Sequence, residues 1–241
     1  ACIDHRTPLM FSSACDSSHY PYHLDDLVAW FDRPDASDVV NTWVRENRVD
    51  EDTARRLLQF IEDGYVECTE LFDSALIDAA RQELLAAAER GHQGFQSGSS
   101  QRLEQLHRKP GAIRQLWLNR EARLFIECLM GGPARPVQTL GFVNGSQQEA
   151  HQDTVHLTPF PAGYMCGLWI ALEDVSEGSG ELMVYPGTHR RPRLRMAQYD
   201  CPKVQGQDWD DFGRRIVPVW HEWTRDQPSK VYRPKKGAAL I

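Results

Sequence analysis

His151 and Asp153 are the two residues of this chain best placed to do chemistry. On an extended strand, side chains two apart point to the same side. An imidazole and a carboxylate aligned in that way can face one metal ion. One further histidine would complete a two-histidine, one-carboxylate triad, which leaves positions open on Fe(II). Open positions matter because O2 and an oxidisable molecule must both reach the metal. The chain holds nine histidines, so a His-x-Asp pair arises readily by accident, and alone it argues little.

Its setting argues more. HQDTVHL (151–157) is followed by YMCGLWIALEDV (164–175), a strand-like run carrying Trp169. The small-residue turn EGSGEL (177–182) and the turn PGTHR (186–190) come next. Together with VQTLGFV (137–143), these read as successive strands separated by Gly, Pro and Ser turns. A helix resumes near Asp208, with Trp209, Phe212, Ile216 and Trp220 on one stripe and a kink expected at Pro218. SKVYRP and GAALI are two last strand fragments.

The first half reads differently. LDDLVAWF (24–31) and SDVVNTWV (37–44) carry apolar residues at three-to-four spacing. A helix begins near Asp50, buries Ala54, Leu57, Leu58 and Ile61, and ends at Gly64. YVECTEL alternates like a short strand. Asp73 or Ser74 then caps a helix running to Arg90, stopped by Gly91. Residues 92–101 read as a flexible loop of the kind that often closes over a substrate. Helices are expected at 112–118 and 121–129, ended by Gly131, Gly132 and Pro133. Helices first and strands second predict an α+β fold, a helical layer packed on a β-sandwich or barrel.

Composition narrows the class. At 241 residues the chain can bury one substantial core. A formal charge of −7 argues against a duplex nucleic-acid partner, which needs a basic face. No apolar run approaches the ~18 residues of a membrane span. ACIDHRTPLM lacks the basic segment and apolar core of a signal peptide. The six cysteines are scattered with no CxxC pair. They read as reduced thiols in the cytoplasm, with Cys166 a small core hydrophobe. Residues 1–20 read as a disordered tail.

From about residue 50 to 241 the chain resembles the phytanoyl-CoA dioxygenase family of Fe(II)- and 2-oxoglutarate-dependent oxygenases. The likeness rests on HQD, GLWIALEDV, EGSGEL and PGTHR in that order, on the helix-Gly-Tyr-Val opening at 60–67, and on the helix ending AAAERG. It implies a double-stranded β-helix, a jelly-roll or cupin-like barrel, with an N-terminal helical layer. On this basis 21–241 is one oxygenase domain: 21–135 mainly helical, 136–241 an incomplete barrel core with a helical insertion near 208–226.

The resemblance implies that His151 and Asp153 bind iron and that Trp169 walls the 2-oxoglutarate pocket. Gln138 would face co-substrate or substrate, or else solvent. Gln152, lying between the ligands, should point to the opposite side unless the strand bends toward the co-substrate. In the family a second metal histidine and a co-substrate arginine follow a turn and strand that KKGAALI occupies here, so the last strands are expected to be missing. His156 has the wrong strand parity to substitute; His189 and His221 read as hydrogen-bonding or solvated residues. An Asp at 153 favours hydroxylation over halogenation, because halogenating relatives carry a small residue there.

The expected reaction consumes O2 and 2-oxoglutarate and hydroxylates a small molecule. The run HRRPRLR (189–195) could recognise an anionic group on that substrate; a solvated loop is the plainer reading. Two alternatives stay open. One is a non-catalytic jelly-roll binding module that has lost the metal site. The other is a cupin-type metalloenzyme, which usually shows a denser histidine cluster.

Overall fold

The computed structural model describes residues 28–69, 71–99, 101–155, 157, 163–201 and 208–241. The expected tail at 1–20 lies outside them. Five helices make the first layer: α1 (Ala36–Arg45), α2 (Glu51–Asp63), α3 (Ser74–Glu89), α4 (Ala112–Trp117) and α5 (Arg120–Met130). Their starts follow the capping chemistry of the sequence. The Asp50 carboxylate accepts the Thr53 N–H, Asp73 accepts those of Ala75 and Leu76, and Asn119 accepts that of Ala122. Gly64 and Gly131 end α2 and α5 in the left-handed conformation. The run at 24–31 differs: its described part is a single 3-10 turn at Trp30–Asp32.

The strands are short and all antiparallel. β1 (Glu67–Cys68), β4 (Trp169–Ile170) and β7 (Ala239–Leu240) form one sheet in the order β1-β7-β4. β2 (Arg102–Glu104) pairs with β3 (Leu140–Phe142), and β5 (Leu182–Val184) with β6 (Lys230–Tyr232). Among the described residues no sheet closes into a barrel. The expected barrel is therefore present as three separate ladders. The run 164–175 pairs as a strand only at Trp169–Ile170, and 137–143 only at Leu140–Phe142.

β7 joins the two halves. It sits between β1 and β4, and beyond it Val66 and Ile241 exchange backbone hydrogen bonds of 2.9 and 3.0 Å. The largest core cluster packs Val40, Leu57, Phe60, Ile61 and Leu129 of the helical layer against Ala239 and Ile241. Cys166 packs on that cluster as the sequence suggests, and burial pushes its thiol up to about 11. A separate cluster unites Val155, Leu194, Phe212, Ile216 and Trp220. It involves α6 (Asp210–Arg215) and α7 (Val217–Thr224), and the break between these helices falls at the expected Pro218, in the first turn of α7. Among the described residues no helix is long and apolar enough to cross a membrane.

One buried titratable group tests this packing. His107 is 7% exposed, stacks on Trp117 with ring centroids 3.9 Å apart, and places Nδ1 2.9 Å from Thr139 Oγ1. Burial holds its pKa below the ordinary value of 6.5, and Arg108 and Arg114 push the same way. The unfolded chain therefore takes up a proton that the native ring resists. Stability from this site is full above about pH 6.5 and falls as pH drops toward the folded pKa. His189, also depressed by burial, acts with the same sign. Urea midpoints measured at about pH 7.5 and about pH 5.5 should drop further in the wild type than in His107→Asn. Equal drops would show that His107 protonates as easily folded as unfolded.

Candidate metal centre

The segment leading to His151 is fixed by a close backbone approach. Gly145 and Gly180 both have positive φ, and a Cβ on either would come 3.1 Å from the other's Cα. This contact seats the start of the loop on the EGSGEL turn. Two residues further on, Gln147 also takes a positive φ of 50°.

The expected strand at 151–157 is not one. Asp153–Val155 is a 3-10 turn, in which Leu157 N–H reaches back to the Asp153 carbonyl at 2.8 Å. The turn nevertheless brings the two side chains together. His151 Nε2 lies 3.0 Å from Asp153 Oδ1, and Nδ1 lies 2.6 Å from the carbonyl oxygen of Glu149. A carbonyl only accepts, so Nδ1 carries a proton and Nε2 is the nitrogen turned toward the carboxylate. The hydrogen bond that the ring donates to the Asp153 carboxylate raises the imidazole's pKa above its ordinary value, against the opposing effect of partial burial. The side chains are 28% and 58% exposed, so the pair faces solvent.

This geometry suits a metal. Two adjacent ligands on an octahedral ion with bonds of about 2.1 Å stand about 3 Å apart. A ring N–H donated to a backbone carbonyl is also the usual way a metal-binding histidine is oriented. The pair therefore fits two positions of a triad. Among the described residues no group of three His, Cys, Asp or Glu side chains is gathered to complete one.

The other expected residues are dispersed. Gln152 is engaged by the 192–194 segment: its Nε2 donates to Pro192 O at 3.3 Å and its Oε1 accepts the Leu194 N–H at 3.0 Å. It straps the arginine-bearing segment beside the metal pair. Trp169 lies on β4, edge-on to Tyr232 at 5.7 Å, in a cluster with Tyr65 and Leu240. Gln138 is half-buried just before β3, next to the Thr139 that partners His107. His156 lies outside the described residues.

The PGTHR turn has a structural task. His189 Nε2–H donates to Ile61 O at 3.2 Å, Arg190 donates to the same carbonyl at 2.7 Å, and Gly187 N–H meets Asp63 O at 2.9 Å. These donors cap the last carbonyls of α2, where cations are favoured. His189, Arg190 and Arg193 also act on half-buried Asp32; its pKa is raised by burial, although all three oppose the shift. Charge in the HRRPRLR run is thus partly balanced within the fold.

Two contacts at the pair come from residues the sequence did not mark as site residues. His221 Nε2–H donates to Glu149 Oε2 at 3.1 Å, and the Trp220 ring lies 6.0 Å from that of His151. The only signal for Glu149 was its place two residues before His151.

Comparison with known proteins places the fold and the family. The crystal structure of the non-heme alpha ketoglutarate dependent carbocyclase SnoK from nogalamycin biosynthesis matches with a TM-score of 0.56. The match covers 80% of this chain and 74% of that one, at 21% identity. The epimerase SnoN, in complex with Fe3+, alpha ketoglutarate and nogalamycin RO, matches at 0.50 over 78% and 73%, at 20% identity. At these identities the likeness is one of fold: the chain shares the fold of these two enzymes.

The family model of phytanoyl-CoA dioxygenase (PhyH) matches residues 60–222, more than half of the chain, and the chain belongs to that family. The peroxisomal phytanoyl-CoA dioxygenase of Rattus norvegicus is 29% identical over 110 residues, 38% of this chain and 31% of that protein. Phytanoyl-CoA dioxygenase domain-containing protein 1 of Danio rerio is 31% identical over 100 residues, 40% of this chain and 31% of that protein. The chain thus spans about a third of the length of these curated relatives.

Proposed function

We propose that this chain is the core of an Fe(II)- and 2-oxoglutarate-dependent oxygenase that uses O2 to hydroxylate a small molecule, with His151 and Asp153 as two of the metal ligands. The observation that carries this is the convergence of His151 Nε2 and Asp153 Oδ1 at 3.0 Å, with Nδ1 engaged by a backbone carbonyl. Family membership supports it, as do two fold neighbours, one alpha ketoglutarate dependent and one in complex with alpha ketoglutarate. Bound iron would supply the redox chemistry that couples 2-oxoglutarate and O2 to oxidation of the substrate.

The chain's own groups do the positioning. His151 would present Nε2 once a metal displaces its proton, Asp153 would supply the charge-balancing oxygen, and Gln152 holds the 192–194 segment. Trp169 walls the co-substrate side and Gln138 faces co-substrate or substrate in this reading. The three ladders are then parts of one jelly-roll domain spanning 21–241. A binding module without catalysis is favoured by one fact, the lack of a third ligand among the described residues.

Anaerobic calorimetry with Fe(II), followed by a succinate-release assay with 2-oxoglutarate and O2, separates the two. Saturable Fe(II) binding with Fe(II)-dependent succinate release is the expected result. Absence of both would leave the binding module.

A further inference from the structure

We propose that Glu149 is a positioning residue of this centre and that His221 of α7 holds it in place; this rests on the metal reading above. Glu149 touches the pair through its backbone and α7 through its side chain. Its carbonyl receives the Nδ1 proton of His151 at 2.6 Å, which turns Nε2 toward Asp153. Its carboxylate is gripped by His221 Nε2–H at 3.1 Å. The carbonyl can orient the imidazole only while the loop holds still. That loop reaches Glu149 through Gly145, Gln147 with its positive φ, and no ladder pairing.

His221 supplies a second anchor, at the end of the loop away from the Gly145–Gly180 approach. It projects from a helix whose preceding residue, Trp220, is buried and faces the His151 ring at 6.0 Å. Helix α7 thus acts on the imidazole twice, once by ring contact and once through Glu149. The insertion near 208–226, which sequence patterning treats as an addition to the barrel, becomes the back wall of the metal pair.

The test is Mn(II) affinity, an oxygen-stable stand-in read by calorimetry without turnover. Glu149→Ala and His221→Ala should each weaken Mn(II) about threefold to fivefold, the scale of a solvent-facing side-chain pair. The double variant should be no weaker than either single, because the two side chains act as one unit. Glu149→Gln, whose amide oxygen still accepts from His221, should stay within about twofold of wild type. Thermal midpoints should hold in all four, since these are surface positions.

Wild-type affinity in both alanine variants would overturn the proposal, as would a double variant that multiplies the two losses. Asp153→Ala separates the levels. If it binds Mn(II) like wild type, the centre itself is misplaced, and the role of Glu149 falls with it.

Discussion

Replacing Asp153 by alanine is expected to lower metal affinity by about a hundredfold or more and to abolish Fe(II)-dependent release of succinate. The magnitude follows from what remains. Changing groups that only orient a ligand typically costs 10–100-fold in affinity, and here a ligand itself is removed. His151 would be left as the single protein donor of the pair, and affinity for a divalent ion depends on ligand number and geometry. Charge matters as well, because the carboxylate stands 3.0 Å from Nε2 of His151 and would bring a negative charge to a divalent ion there.

The fold should not notice the change. Asp153 is 58% exposed at its side chain, and substitutions at such positions usually move stability by no more than about 0.5 kcal/mol. Urea midpoints should therefore coincide while calorimetric metal binding disappears. Asp153→Asn sharpens the test: the amide keeps the shape and one oxygen but lacks the charge, so it should bind metal better than alanine and far less well than wild type. Metal affinity that survives in both variants would mean that Asp153 is not a metal ligand.

The same pair shows what the sequence could and could not reveal. His151 and Asp153 stand out by residue type and by the motifs that follow them, yet strand parity was the wrong reason for their convergence. A 3-10 turn at Asp153 and a hydrogen bond to a residue two positions upstream achieve the same meeting. Helices were legible because amphipathic stripes and caps are local: Asp50, Asp73, Gly64 and Gly131 each act within a turn of themselves.

Strand pairing was much less legible. β1 and β4 both pair with β7, bringing together segments that lie far apart in the chain, and pairs of two or three residues are too short for alternation to register. β2, with only Arg102–Glu104, gave no signal at all. GAALI did read as a strand, but its central place in the sheet follows only from its partners. Gln152 stood out only as the residue between the two expected ligands, and its use as a strap on Pro192 and Leu194 depends on a contact some forty residues away.

Gly64→Ala should be the most destabilising single-methyl change in this part of the fold, at about 2–5 kcal/mol. Two costs combine. Gly64 closes α2 at φ +82, a conformation that costs an L-residue about 1–2 kcal/mol. A Cβ there would also collide with His189 Nδ1 and stand 2.6 Å from its Cγ, and forcing atoms into a packed site typically costs about 1–3 kcal/mol. Differential scanning fluorimetry should read a fall of about 5–15 °C for a domain of this size.

Gly132→Ala, where a Cβ meets nothing within 4 Å, is the control and should change stability by no more than about 0.5 kcal/mol. The damage should also spread toward the centre. Displacing His189 releases the PGTHR turn from the last carbonyls of α2, and that turn leads directly into the 192–194 segment strapped by Gln152 beside His151. A double-mutant cycle isolates the steric part. Combining Gly64→Ala with His189→Ala removes the ring from the methyl's path, so the pair should be less destabilised than the two singles added together, by about 0.5–3 kcal/mol. Additivity would mean that backbone conformation alone demands glycine at 64 and that the His189 ring yields freely.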